Sequence, residues 1–180
     1  EIESLVSGRE KLPALKSLFL GGNDTVYDDG ELLFSLPDVS PIFLAFPQLE
    51  DLRLYGWTHM EVEFQIGTIH SEVLRSLSIA TASLEPRIVH DLWRVHLPAL
   101  EHLELWLDAT YQDNPLTIDD LAPLFSGKLF PRLRHLTLCL SPIEDDLAVA
   151  LAASPLLERL KVLDLSGGIF TDRGAQALLA

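Results

Sequence analysis

The amino-acid sequence predicts an α/β protein built as a right-handed solenoid. We expect a parallel concave sheet of about six strands, with helices on the convex side. Three observations lead to this prediction: a repeated apolar motif, segments of helical spacing between its copies, and polar residues inside each copy. The prediction places residues 1–180 in a single domain.

The repeated motif is Leu-x-x-Leu-x-Leu, with isoleucine as the last apolar residue in the third copy. Its six copies begin at Leu15, Leu49, Leu74, Leu100, Leu133 and Leu160. Consecutive copies start 25 to 34 residues apart, which is the period of a repeated supersecondary unit. Each copy is short and apolar at alternate positions, so we expect one strand from each.

Polar residues occupy the second and third positions of nearly every copy, such as Glu50 and Asp51. A doubly wound sheet, covered on both faces, has strands with continuous apolar runs. The polar positions therefore favour a solenoid whose sheet keeps one face in water. The second positions alternate in charge along most of the chain, and we expect them to pair between neighbouring strands. These residues are Lys16, Glu50, Arg75, Glu101, Arg134 and Lys161.

Three segments between the motifs have helical spacing. The first follows Pro86, which suits a first helical turn. The second has Thr117 and Asp120 at capping-box positions and Gly127 as a stop signal. The third follows segment 141–146. The apolar residues that define these helices are Ile88, Val89, Leu92 and Trp93, then Leu121, Leu124 and Phe125, then Leu147, Val149, Ala150, Leu151 and Ala153. Residues 61–66 alternate polar and apolar, which predicts an extended connection.

These features resemble leucine-rich repeats of the ribonuclease-inhibitor type. The last copy, which begins at Leu160 and continues through segment 170–178, is the nearest match. The order of segments also resembles a family of uncharacterised bacterial leucine-rich repeat proteins, most closely in segments 46–54, 97–106, 119–124 and 130–138. The resemblance covers nearly the whole chain and implies a scaffold without a known reaction. Because the first and last repeats are incomplete, we expect a fragment of a longer repeat protein.

The composition excludes several classes of function. With 13 Lys and Arg against 27 Asp and Glu, the formal net charge is −14, which repels nucleic acid. No apolar run reaches the roughly 18 residues that a membrane-spanning helix needs. The single cysteine, Cys139, cannot form an intrachain disulfide. Because the protein does not depend on disulfides, we expect it in the cytoplasm.

The candidate binding residues face outward from the predicted sheet, because strand side chains alternate between its two faces. They are Arg53, Tyr55, His102, Glu104, Trp106 and His135. Exposed Tyr and Trp are typical anchors of protein interfaces, although loops folding over Tyr55 and Trp106 would make them ordinary packing. We therefore predict a non-enzymatic protein-interaction scaffold with no catalytic residue, cofactor or metal. Acidic connections favour a basic partner. They are Asp24, Asp28, Asp29 and Glu31, and Asp108, Asp113, Asp119 and Asp120.

Two alternatives remain open at this point. His102, His135 and Glu104 are expected on neighbouring strands and could form a metal-binding or hydrolytic site. Neither an HExxH helix nor a CxxC pair supports that hypothesis. The third interpretation is a structural spacer, whose function would lie in other parts of a larger protein.

Overall fold

The computed structural model describes residues 2–21, 38–56, 64–67, 69–81, 84–108 and 115–180. One open parallel sheet contains six strands in chain order. The strands are β1 (Ser17–Gly21), β2 (Asp51–Gly56), β3 (Ser76–Thr81), β4 (His102–Trp106), β5 (His135–Cys139) and β6 (Val162–Asp164). Each strand falls on one copy of the motif, so the predicted strand number is confirmed. The predicted acidic residues 24–31 and 113, and the start of the predicted extended connection at 61–63, lie outside the described ranges.

The strand register follows the motif position by position. Leu52, Leu77, Leu103 and Leu136 are paired in successive strands, and each is at most 1% exposed. Shifting one strand by a single residue would move its leucines to the opposite face and place polar residues in the core. The spacing of the leucines therefore fixes which side chains face away from the core.

The helices occupy segments between the strands. They are α1 (Ile2–Ser7), α2 (Ser40–Ala45), α3 (Pro86–Leu92), α4 (Ile118–Phe125), α5 (Glu144–Ala152) and α6 (Asp172–Leu179). The predicted capping box of α4 is confirmed, with the Thr117 backbone N–H donating to Asp120 Oδ2 at 2.9 Å. Gly127, just after α4, has a φ of 72°, as expected of a helix stop. Across the described ranges, no helix combines the length and apolar character needed to cross a membrane.

Helical side chains and strand leucines share one hydrophobic core. Helix α3 contributes Ile88, Val89 and Leu92, as its spacing predicts. Helix α5 contributes Leu147, Ala148 and Leu151, whereas Val149 is 42% exposed. Including Val149 and the exposed Ala153 in the defining apolar set was wrong, because five apolar residues within seven positions cover more than one side of a helix. The helix also begins at Glu144, inside the segment 141–146 that was predicted to precede it. The sheet thus has one face on this core and one face away from it.

Charged residues at the second motif position form ion pairs at two gaps between strands, where the sequence predicted pairing along most of the sheet. Lys16 Nζ contacts Glu50 Oε1, and Arg75 Nη1 lies 4.0 Å from Glu101 Oε1. The hydrogen bond and positive charge of Lys16 hold the pKa of Glu50 below its ordinary value. These pairs are exposed and contribute little stability, so they serve mainly to favour the observed strand register.

Candidate functional site

We call the side of the sheet opposite the core the open face. It carries the third and fifth motif positions and the residue after the last leucine. Register aligns the third positions in one row, Ser17, Asp51, Ser76, His102, His135 and Val162. It aligns the fifth positions in a second row, Phe19, Arg53, Ser78, Glu104, Thr137 and Asp164. All six predicted binding residues are on this face.

Two aromatic side chains meet on the open face. The rings of Tyr55 and Trp106 have centroids 5.5 Å apart and cross at 88°, an edge-to-face contact. They belong to β2 and β4, with β3 between them, where Ala80 is paired with Tyr55. The small alanine side chain leaves space above the middle strand for the two rings. Edge-to-face aromatic pairs contribute about 0.5–1.5 kcal/mol beyond the burial of their area.

Glu104 holds the tryptophan in place. Its Oε1 accepts a hydrogen bond from Trp106 Nε1 at 2.9 Å, and its Oε2 accepts one from Ser78 Oγ at 2.8 Å. Both carboxylate oxygens are therefore engaged within the face. Tyr55, Ser78, Glu104 and Trp106 form a continuous set of contacts across three strands, which we call the aromatic cluster.

The predicted histidine pair is stacked in the row of third motif positions, next to the row that contains Glu104. His102 and His135 are paired in adjacent strands, with ring centroids 4.1 Å apart and an interplanar angle of 23°. Burial and the neighbouring His135 imidazole lower the pKa of His102. The lowered pKa favours the neutral imidazole of His102, in which one ring nitrogen donates and the other accepts a hydrogen bond.

Acidification is expected to destabilise the protein through His102. Because the pKa of His102 is lower in the folded state, the unfolded chain binds the proton more readily. The free energy of unfolding should fall as the pH drops below the ordinary histidine value of about 6.5. Urea titrations at pH 7.5 and 5.5 measure this, and His102→Asn should reduce the difference between them. The same loss of stability in wild type and variant would show that His102 does not contribute.

Arg53 lies beside the carboxylate of Asp51 at the start of β2. Its Nη2 is 3.3 Å from Asp51 Oδ2, which also accepts a hydrogen bond from Ser17 Oγ at 2.8 Å. Burial alone would raise the pKa of Asp51, but hydrogen bonds from Ser17, Ser76 and Arg53 outweigh it and lower the pKa. Asp51 is thus a fixed negative charge that positions the guanidinium of Arg53.

Phe19 is a candidate that the sequence analysis did not select. It lies opposite Arg53 in the register and is 63% exposed, an unusual state for a phenylalanine side chain. The sequence contained a signal for Phe19, because it is an apolar residue at the fifth motif position, which faces away from the core. Phe19 extends the apolar part of the open face toward β1.

Cys139 ends β5 next to Trp106 in the register. Burial, with the nearby charges of Glu104 and Asp164, raises the pKa of its thiol to about 11. The thiol is therefore protonated at neutral pH and is a poor nucleophile and metal ligand there.

The alternative metal or hydrolytic site at His102, His135 and Glu104 stays a prediction. The structure places the two histidines together, while Glu104 is bonded to Ser78 and Trp106. Among the described residues, ligand atoms of three metal-binding side chains approach within 4.8 Å of one another elsewhere, at His70, Glu72 and His96.

Comparison with known proteins gives a structural likeness and no activity. No protein-family model matches the chain, and no curated protein matches it. The chain is similar to a crystal structure of a Bacteroides fragilis protein determined as a target of the Northeast Structural Genomics Consortium, with a TM-score of 0.82 and 27% identity. The match covers 98% of this chain and 49% of the other, so this chain spans about half the length of that neighbour.

Proposed function

We propose that this chain is a right-handed leucine-rich repeat solenoid of the ribonuclease-inhibitor type, with the open face on its concave side. Each strand coincides with one Leu-x-x-Leu-x-Leu copy, and consecutive strands are neighbours throughout the sheet. Stacking of equivalent units, each in contact with the next, is typical of solenoid proteins.

The proposed function is to bind a partner protein on the open face, without catalysis. The observation that carries this proposal is the aromatic cluster, in which Tyr55 contacts Trp106 and Glu104 bonds the tryptophan nitrogen. Tyr, Trp and Arg are the residue types most enriched among interface anchors. Arg53 supplies the arginine, and Phe19 adds exposed apolar area beside it.

Rigid presentation is the proposed mechanism. The side chains are attached to a hydrogen-bonded sheet and are held by bonds to one another, so binding orders few additional groups. A preformed surface loses less conformational entropy on association, and a few anchors then suffice for affinity. The stacked histidines, 4.1 Å apart, offer hydrogen-bonding groups next to the anchors.

The proposed partner is a basic protein. The net charge of −14 attracts cationic proteins over a distance and accelerates their encounter, an effect that salt weakens. The proposed location is the cytoplasm, where a protein stabilised without disulfides keeps its single thiol reduced.

The test is affinity capture from a lysate of the source organism, using wild type and two triple variants as bait. The site variant carries Tyr55→Ser, Glu104→Lys and Trp106→Ser. The matched control carries Leu44→Ser, Glu158→Lys and Leu179→Ser, which replaces two apolar side chains with serine and makes the same charge change at exposed positions outside the sheet. Circular dichroism and thermal unfolding are used to check that both variants are folded before their capture is compared.

We expect one protein to be captured by wild type and control at equal yield and to be lost with the site variant. Equal capture by all three baits would contradict binding on the open face. Capture of nothing by the wild type would favour the structural-spacer function.

A further inference from the structure

A second group of candidate ligands lies outside the six-stranded sheet. His70 precedes the start of β3 by six residues, and His96 precedes the start of β4 by the same number. The two histidines therefore occupy equivalent positions in successive repeats. Their backbones form a parallel bridge, in which Ser71 N–H donates to His96 O at 3.0 Å and His96 N–H donates to Ile69 O at 2.9 Å.

This backbone pairing brings the two imidazoles together. Their ring centroids are 4.7 Å apart and their planes differ by 16°. The Glu72 side chain reaches both rings, with Oε1 3.2 Å from His70 Nε2 and 3.3 Å from His96 Nε2. One carboxylate oxygen and two imidazole nitrogens thus converge at one place on the surface.

These distances match the separation between ligands around a small metal ion. Zinc binds imidazole nitrogen and carboxylate oxygen at about 2.0–2.2 Å in tetrahedral geometry, so neighbouring ligand atoms are about 3.3–3.5 Å apart. The two measured distances are within about 0.2 Å of that range. Two nitrogens and one oxygen suit Zn²⁺ better than Ca²⁺ or Mg²⁺, which prefer oxygen ligands throughout.

The backbone that carries these side chains is anchored in the core. His70 follows Ile69, and His96 stands between Val95 and Leu97, all three of which are buried. The loop through Glu72 is held by Ser71, whose Oγ accepts a hydrogen bond from Leu74 N–H at 3.1 Å. Little rearrangement of the backbone is therefore needed for the three ligands to meet a metal ion.

We propose that His70, Glu72 and His96 form a binding site for a zinc-like divalent transition-metal ion. The three side chains are 58–65% exposed, so the fourth coordination position faces solvent and is open to water or to a ligand from another molecule. Three protein ligands with an open position distinguish such a site from a closed structural zinc site. This site does not depend on the function proposed for the open face.

The test is isothermal titration of metal-free protein with Zn²⁺, after treatment with a chelator and its removal. We expect one site with an affinity that falls at least about tenfold in each of His70→Asn, Glu72→Gln and His96→Asn, because each change removes a ligand. The double variant His102→Asn, His135→Asn should bind as wild type does. This control separates the proposed site from the alternative on the open face.

Thermal unfolding with and without Zn²⁺ gives a second measurement. A metal ion that binds only the folded state raises the melting temperature of wild type, and His96→Asn should abolish most of that increase. Since the three ligands are exposed, the metal-free variants should melt within a few degrees of wild type. Absence of stoichiometric binding, or binding retained in His96→Asn and lost in the His102, His135 double variant, would overturn the proposal. In either case Glu72 would serve only to contact the two stacked imidazoles.

Discussion

Leu136→Ala is expected to lower the free energy of unfolding by about 2–5 kcal/mol. Leu136 is fully buried on β5, where the register places it between Leu103 and Leu163 of the neighbouring strands. Truncation removes apolar contacts and leaves a cavity that repeats on both sides can fill only partly, because each strand is held in place by its own leucines. Urea-induced unfolding, followed by circular dichroism, measures the loss.

Thr137→Ala is the matched control for that substitution. Thr137 is the next residue in β5, and its side chain is on the open face, only partly buried. We expect its loss to change stability by less than about 1 kcal/mol. If both substitutions destabilise the protein equally, the assignment of the two faces of the sheet is wrong.

Trp106→Ala is expected to weaken binding of the captured partner by about 2 kcal/mol or more, which corresponds to roughly a 30-fold higher Kd. The substitution removes the ring that contacts Tyr55 and the N–H group that binds Glu104. It leaves Tyr55 without its aromatic neighbour and frees one oxygen of Glu104. Titration of purified partner into each variant measures the change.

Two further variants separate the contributions of the tryptophan. Trp106→Phe keeps an aromatic ring and loses the hydrogen bond, so we expect a Kd between those of wild type and Trp106→Ala. Leu44→Ala, at an exposed position of α2, should bind as wild type does. An unchanged Kd for Trp106→Ala would remove this residue from the interface.

The sheet and its register follow from the sequence because one physical requirement repeats in every copy of the motif. Leu18, Leu52 and Leu77 must all face the core, so their neighbours in sequence are placed on the open face. The start of helix α4 could also be predicted from the sequence, because Thr117 and Asp120 are only three residues apart and hydrogen-bond to each other. Helix α2 was not predicted, because six residues are too few for a helical period to stand out.

The candidate site was predicted as a set of positions and not as a set of contacts. Register places Ser78 and Glu104 side by side. Whether the Glu104 carboxylate hydrogen-bonds both Ser78 and Trp106, as it does in the structure, depends on side-chain rotamers. Sequence spacing carries no information about those rotamers. The same reasoning explains why the stacking of the two open-face histidines was expected only as proximity.

The group at His70, Glu72 and His96 was missed because it contains no known metal-binding motif. A signal was nevertheless present, since His70 and His96 stand at the same offset from β3 and β4. In a stacked repeat, equal offsets place side chains on neighbouring turns, about one strand spacing apart. Aligning the repeats outside the leucine motif would have revealed the pair, although Glu72 would still have required the structure.

Hydroxyl-radical footprinting of the protein, free and bound to its captured partner, tests most directly whether the open face is the binding surface. The reagent oxidises solvent-accessible aromatic, imidazole and aliphatic side chains, and the predicted anchors are only partly buried, so it reports on the anchors themselves. We expect Tyr55, Trp106, His102 and His135 to lose labelling in the complex, while exposed Leu44 and Leu179 keep theirs. Unchanged labelling of those four residues, with protection of Leu44 or Leu179, would contradict the proposed function.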